Sequence, residues 1–327
     1  VKQRLFLAGS LALVATLTGQ PVTADPPEAE AQFGQVYAET PSGPLKADLY
    51  LPAGEGPFPG VLLVHGGAWR MGTRAQMSGL GRLLSKHGYT AVAISYRLAP
   101  DHKFPAQIED CQTALRWMRR EASRLKLDPL RIAGFGYSAG AQLVALLGTA
   151  EEDFDFRRDR PPGSAIATSQ TTTSVASTPE VSSAGADDPP CRLQAVVAGG
   201  TPCDFRPIPL DDTWLAFWLG GSRREQGEIY RLASPAAFVS PDDPPMFFFH
   251  GENDELVPLV SPQTMCRRLH EAGVAAQLHV APRLGHGATA VDPESIRLAI
   301  DFLDEQLHPE NGRPALGEGP ASLVREP

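Results

Sequence analysis

Residues 130–148, LRIAGFGYSAGAQLVALLG, constrain this chain more than any other stretch of it. A short apolar run over 131–135 predicts a strand. A tight turn follows, and then an Ala- and Leu-rich run that predicts a helix. The turn is Gly136-Tyr137-Ser138-Ala139-Gly140, a G-x-S-x-G pattern. In that pattern the Ser occupies a sharp strand-to-helix bend, and only very small neighbours let strand and helix approach closely enough. The bend lifts the hydroxyl clear of the backbone at a helix N-terminus. There the free N–H groups and the helix dipole favour the negative charge that acyl transfer develops. Ser138 is therefore a candidate nucleophile, and the strand–turn–helix setting carries that reading further than the five letters alone.

Around this stretch the sequence alternates. Residues 60–64, GVLLV, form a continuous apolar run, as a strand buried on both faces does. Residues 90–96, 193–198, 245–250 and 276–280 predict further strands. Helical spacing appears over 74–87, 105–126, 262–272 and 295–307. Gly88 closes the first of these helices and Pro105 opens the second. Residues 35–39 and 45–51 alternate apolar and polar, as half-buried antiparallel strands do, around a Pro-Ser-Gly-Pro turn. The expected fold class is α/β, a mostly parallel sheet with helices on both faces.

Composition limits what such a chain does. At 327 residues and 42% hydrophobic there is enough apolar side chain for a large core. The net charge is −9 with no basic patch, which argues against a nucleic-acid partner. Lys2 and Arg4, the apolar run 5–17 and Val22-Thr23-Ala24 predict a signal peptide over 1–24, hence a secreted or periplasmic protein. That apolar run is short for a membrane span, so no stable insertion is expected after cleavage. Residues 25–34 read as a flexible leader, 35–308 as the folded domain and 309–327 as a loose tail. Within the domain, about 157–190 is Ser/Thr-rich and reads as a disordered insert. The segment from about 204 to 240 carries Trp214, Phe217 and Trp218. It reads either as a cover over the sheet's C-terminal edge or as satellite core. Cys111, Cys191, Cys203 and Cys266 lack the spacing of a zinc or redox site. Cys111 reads as a core residue, and a Cys203–Cys266 disulfide is left open.

A Ser hydroxyl needs a base within hydrogen-bond reach, and the base needs a third group to hold it. His286 follows the last predicted strand on a Gly-flanked loop, PRLGHG. His250 ends a strand but precedes the acid loop, and His102, His270 and His308 fall on loop or helix surfaces. The acid is expected between the Ser and the His in sequence. Asp254, in HGENDELVP, meets that condition directly after a strand. Glu252 and Glu255 compete in sequence, and Asp204 is a rival on an earlier strand end. An oxyanion needs convergent backbone donors. Ala139 N–H supplies one, and Gly66 and Gly67 in the loop HGGAW are candidates for the others. His65 reads as a brace for that loop. Trp69, Tyr137, Trp214 and Trp218 are candidates for the substrate pocket, with simple packing the competing reading for Trp69.

The pieces HGGAW, SYRLAPDHKFPAQIEDC, GFGYSAGA, HGENDELVP and LGHG, in this order, resemble the α/β-hydrolase superfamily. Within it they are similar to bacterial esterases near the hormone-sensitive-lipase-like, acetyl esterase and feruloyl/acetyl-xylan esterase families. The resemblance covers roughly residues 35–307 apart from the Ser/Thr-rich insert. It implies an eight-stranded α/β-hydrolase sheet and a triad of Ser138, Asp254 and His286. It also implies an oxyanion hole from Gly66, Gly67 and Ala139. The chain departs from the lipase-like pattern at Ala68, where a third Gly is often found, and at Tyr137, where an Asp often precedes the Ser. The expectation is a hydrolase of short-chain acyl, acetyl or feruloyl carbohydrate esters that calls for no metal or organic cofactor. A peptidase or amidase on the same fold, and an inactive binding module, are the alternatives.

Overall fold

The computed structural model describes residues 29–151, 154–156 and 189–308. The signal peptide, most of the Ser/Thr-rich insert and the tail expected from the sequence lie outside the described residues. In chain order the elements are β1 (Glu30–Thr40), β2 (Gly43–Leu51), β3 (Phe58–Val64), α1 (Ser78–Lys86), β4 (Thr90–Ile94), α2 (Ala106–Arg120), β5 (Leu127–Tyr137) and α3 (Ala139–Thr149). They continue as β6 (Ala195–Gly199), α4 (Ala216–Leu219), α5 (Arg223–Leu232), β7 (Met246–Gly251), α6 (Val260–Glu271), β8 (Ala276–Ala281), α7 (His286–Thr289) and α8 (Pro293–Leu307).

The eight strands form one sheet in the order β1-β2-β4-β3-β5-β6-β7-β8. β1/β2 and β2/β4 pair antiparallel, and every pairing from β4 to β8 is parallel. The central strands are apolar throughout because both faces are covered. Residues of α2, α3, α5 and α6 pack against Leu62, Val64, Val196 and Phe248 on one face. Residues of α1 and α8 pack against Val61, Leu63, Val197 and Phe249 on the other. This is the α/β-hydrolase arrangement expected from the sequence. Its parallel strands bring the loops after β3, β5, β6, β7 and β8 to one edge, where ligands of such sheets bind. Among the described residues no helix is long and apolar enough to cross a membrane.

The structure corrects three readings and decides one left open. Five residues of the expected leader, from Glu30 to Gly34, belong to β1, with Glu30, Ala31 and Gln32 in register with Leu51, Tyr50 and Leu49. Phe33 meets Tyr50 edge-on, and Gly34 N–H donates to Asp48 at a bulge, so polar sequence still finds pairing. The helix expected over 105–126 stops at Arg120. Lys126 turns the chain through φ 52°, and β5 begins at Leu127, four residues ahead of the expected strand. The helix expected over 74–87 opens as a 3-10 turn, Arg74–Met77, before α1. All four cysteines are buried free thiols, so the Cys203–Cys266 bond is not made.

Candidate active site

Ser138 sits between the end of β5 and the start of α3 at φ 55° and ψ −119°, in a region sparsely populated by side-chain-bearing residues. The glycines on either side are required by contact. A Cβ on Gly136 would lie 2.2 Å from the Gly140 carbonyl oxygen, and one on Gly140 would lie 2.1 Å from that of Val64. The bend is also tied across the sheet, since Ser138 N–H donates to the Gly199 carbonyl at 2.7 Å.

The hydroxyl meets the two side chains named from sequence. His286 Nε2 lies 2.9 Å from Ser138 Oγ, and His286 Nδ1 lies 2.6 Å from Asp254 Oδ2. A carboxylate accepts, so Nδ1 carries the proton and Nε2 presents its lone pair to the Ser hydroxyl. The Asp254 side chain is fully buried. Its Oδ1 accepts from the N–H groups of Leu256 and Val257, both at 2.9 Å. These bonds fix the carboxylate in the loop after β7. His286 opens α7, and the Tyr137 hydroxyl donates to its main-chain carbonyl. The rivals are engaged elsewhere. Glu252 accepts from Arg283 N–H at 2.8 Å, and Asp204 is paired with Arg206 at 2.7 Å.

The loop after β3 lies directly beside the bend. A Cβ on Gly66 would stand 2.9 Å from the Tyr137 carbonyl oxygen and 3.3 Å from Ser138 Cβ. Gly67 adopts φ 125°, and a Cβ there would strike the Met71 carbonyl oxygen at 2.1 Å. Among the described residues no hydrogen bond uses the N–H of Gly66 or Gly67. Ala139 is the first residue of α3, where helix N–H groups are unpaired within the helix. His65 braces the loop: its Nδ1–H donates to the Gly66 carbonyl at 2.8 Å, and its ring stacks on Tyr96 at 4.3 Å. Burial pushes the His65 imidazole below its ordinary range, against that carbonyl bond, which favours the charged form.

The pocket candidates divide. Trp218 is fully buried and stacks on Trp69 with ring centroids 3.6 Å apart. Their indole N–H groups donate to Gln107 and Gln142. Both rings therefore pack in the core, the packing reading for Trp69 and the satellite-core reading for the segment that carries Trp218. Trp214 is 66% exposed on the cover segment. Tyr137 holds the His286 loop, a role its place before Ser138 does not announce. Gln142 escaped sequence reading, and His250 was weighed only as a base. Gln142 bridges Trp69 and the Ala233 carbonyl, and its only signal is one amide in an apolar helix. His250 lies behind Asp254, with Nε2 3.3 Å from Asp254 Oδ2.

A strained serine, an imidazole and a buried carboxylate in line at the carboxyl edge of this sheet define an α/β-hydrolase. More narrowly, the chain belongs to the BD-FAE family, whose model matches residues 47–269. Esterase LipC of Mycobacterium tuberculosis is 29% identical over 245 residues, which cover 72% of this chain and 54% of LipC. The chain thus spans about half the length of that relative. Two solved structures share the fold. A truncated carbohydrate esterase from gut microbiota superposes with a TM-score of 0.69 at 24% identity, over 87% of this chain and 99% of that one. Est2 of the Planctomycetes species Thermogutta terrifontis, with butyrate bound, gives 0.66 at 23% identity, over 90% and 98%.

Proposed function

We propose that this chain is a carboxylic ester hydrolase that works through a serine acyl-enzyme. The observation that carries the reading is the unbroken line from Ser138 Oγ to His286 Nε2 at 2.9 Å and from His286 Nδ1 to Asp254 Oδ2 at 2.6 Å. In this mechanism His286 Nε2 takes the Ser138 proton as Oγ attacks the ester carbonyl. Asp254 stabilises the imidazolium that results. The oxyanion faces the N–H groups of Gly66, Gly67 and Ala139. His286 then gives its proton to the leaving alkoxide, and water repeats the sequence to release the acid and restore Ser138.

Short-chain acyl, acetyl or feruloyl esters of carbohydrates are the proposed substrates. LipC is named an esterase and one structural neighbour a carbohydrate esterase, which supports this class. Residues 1–24, read as a signal peptide, place the enzyme outside the cytoplasm in this proposal. The decisive experiment compares purified wild type with Ser138→Ala on a short p-nitrophenyl ester. Turnover is expected to fall about 10⁴-fold or more. A variant that keeps most of its activity removes Ser138 from the reaction. A panel of acetyl, butyryl, longer acyl and feruloyl esters, with anilides alongside, then sets the substrate class.

A further inference from the structure

His250 is the penultimate residue of β7 and is fully buried. Its Nε2 lies 2.8 Å from the Val257 carbonyl oxygen and 3.3 Å from Asp254 Oδ2. Its Nδ1 is buried without a hydrogen-bond partner. Asp254 Oδ2 therefore lies between two imidazoles, His286 on the side of Ser138 and His250 on the other. A carbonyl only accepts, so His250 Nε2 carries a proton. A second proton on Nδ1 would be a buried donor with no acceptor, which is costly. Among the described residues two ionisable groups act on this ring, Asp254 and His286. Burial is the largest influence and pushes the imidazole below its ordinary range. The Val257 carbonyl and Asp254 act against burial, and His286 acts with it.

We propose that His250 is a positioning residue for the acid. It is a neutral imidazole whose single N–H donates to the carbonyl of Val257, the residue whose own N–H holds Asp254 Oδ1. Its ring lies 3.3 Å behind Oδ2, so that it keeps the carboxylate turned towards His286 and moderates its charge. This rests on the reading of Ser138, His286 and Asp254 as the reacting line. Neutrality is central to it. A charged ring 3.3 Å from Oδ2 would compete with the His286 imidazolium for the same carboxylate oxygen. A neutral ring sets only a dipole beside the carboxylate, which moderates its charge without cancelling it and fixes its rotation from behind. Removing that donor leaves Oδ2 with more uncompensated charge, so the carboxylate holds the His286 imidazolium more tightly. The acid limb of the pH–rate profile then moves up.

His250→Phe keeps a ring and removes the donor. His250→Gln places an amide N–H at comparable reach. With p-nitrophenyl acetate, His250→Phe is expected to lower kcat about tenfold with little change in KM, and to move the acid limb of kcat/KM to higher pH. His250→Gln is expected to recover much of both. In wild type labelled with ¹⁵N-histidine, His250 is expected to show one protonated and one bare ring nitrogen at pH ~6.5, where a free imidazole is half protonated. Wild-type kinetics in His250→Phe overturn the inference. So does a loss of kcat with an unmoved acid limb, which is the mark of a structural brace. So does a Gln variant no better than Phe, or a doubly protonated His250 in the spectra. If His250→Phe does not fold, the Gln kinetics and the wild-type spectra decide. A wild type that neither turns over ester nor reacts at Ser138 with a fluorophosphonate brings down the functional reading, and this inference with it. An active wild type with an indifferent His250→Phe brings down this inference alone.

Discussion

Ser138 carries its side chain at φ 55° and ψ −119°, a conformation that costs about 1–3 kcal/mol for a residue with a Cβ. The surrounding bonds hold it there, with Ser138 N–H on the Gly199 carbonyl and Gln142 N–H on the Ser138 carbonyl. Ser138→Ala loses the hydroxyl but keeps the strain, whereas Ser138→Gly loses both. Urea melts of the two inactive variants are expected to show Ser138→Gly more stable by about 1 kcal/mol, after the extra freedom of glycine in the unfolded chain is deducted. An Ala variant as stable as the Gly variant denies that the bend is strained. The bend was legible in the sequence because contact dictates its glycines at fixed spacing. His286 and Asp254 were legible because each stands on a turn just past an apolar run. Tyr137 was read as pocket, for nothing local says where its hydroxyl points. Its partner, the His286 carbonyl, is 149 residues away along the chain.

At the scale of elements, the loop after β3 and the segment 204–240 are locked together by aromatic rings. Ala68 and Trp69 both have positive φ, 50° and 58°, so the loop holds its shape only while its neighbours hold it. Trp69 stacks on Trp218 of α4, Phe205 meets both rings edge-on, and Gln142 of α3 accepts the Trp69 indole N–H at 2.9 Å. Gln142 also donates to the Ala233 carbonyl at 2.7 Å. Gln142→Leu leaves a buried indole N–H and a buried carbonyl without partners, which is expected to cost about 2–4 kcal/mol in denaturant melts. The loop bearing Gly66 and Gly67 loses its anchor at the same time, and ester kinetics are expected to show kcat lower by about tenfold. Unchanged kcat in a folded Gln142→Leu protein would mean that the loop keeps its shape unaided. The sequence marked the aromatic segment but not its orientation. A helix of four residues shows no periodicity, so Trp214 in water and Trp218 in the core look alike on paper.

For the whole molecule, the parallel half of the sheet was readable as apolar runs because both its faces are covered, while the extra length of β1 was not. Glu30 and Gln32 belong to a strand only because β2 offers them partners, and no composition rule reports that. The same dense covering buries two imidazoles, His65 beside the Gly66 loop and His250 behind Asp254, and burial lowers the range of both. In the unfolded chain each takes a proton near pH ~6.5, whereas in the folded protein each stays neutral to lower pH. The unfolded state thus binds more protons in that window, and the stability each His contributes is present above pH ~6.5 and lost as pH falls towards its folded value. One lost proton difference changes stability by about 1.4 kcal/mol per pH unit. Asp243 runs the other way: burial pushes it up to about 6, so it gains a proton in the folded state first and offsets part of the loss below that pH. The cleaner measurement is therefore a difference. Urea melts of wild type and His250→Gln at a series of pH values are expected to show any advantage of wild type shrinking as pH drops below ~6.5, because the Gln variant has no proton to take up at that position. A difference that stays flat across that range would mean that His250 titrates alike in folded and unfolded protein, and so that its burial does not keep it neutral.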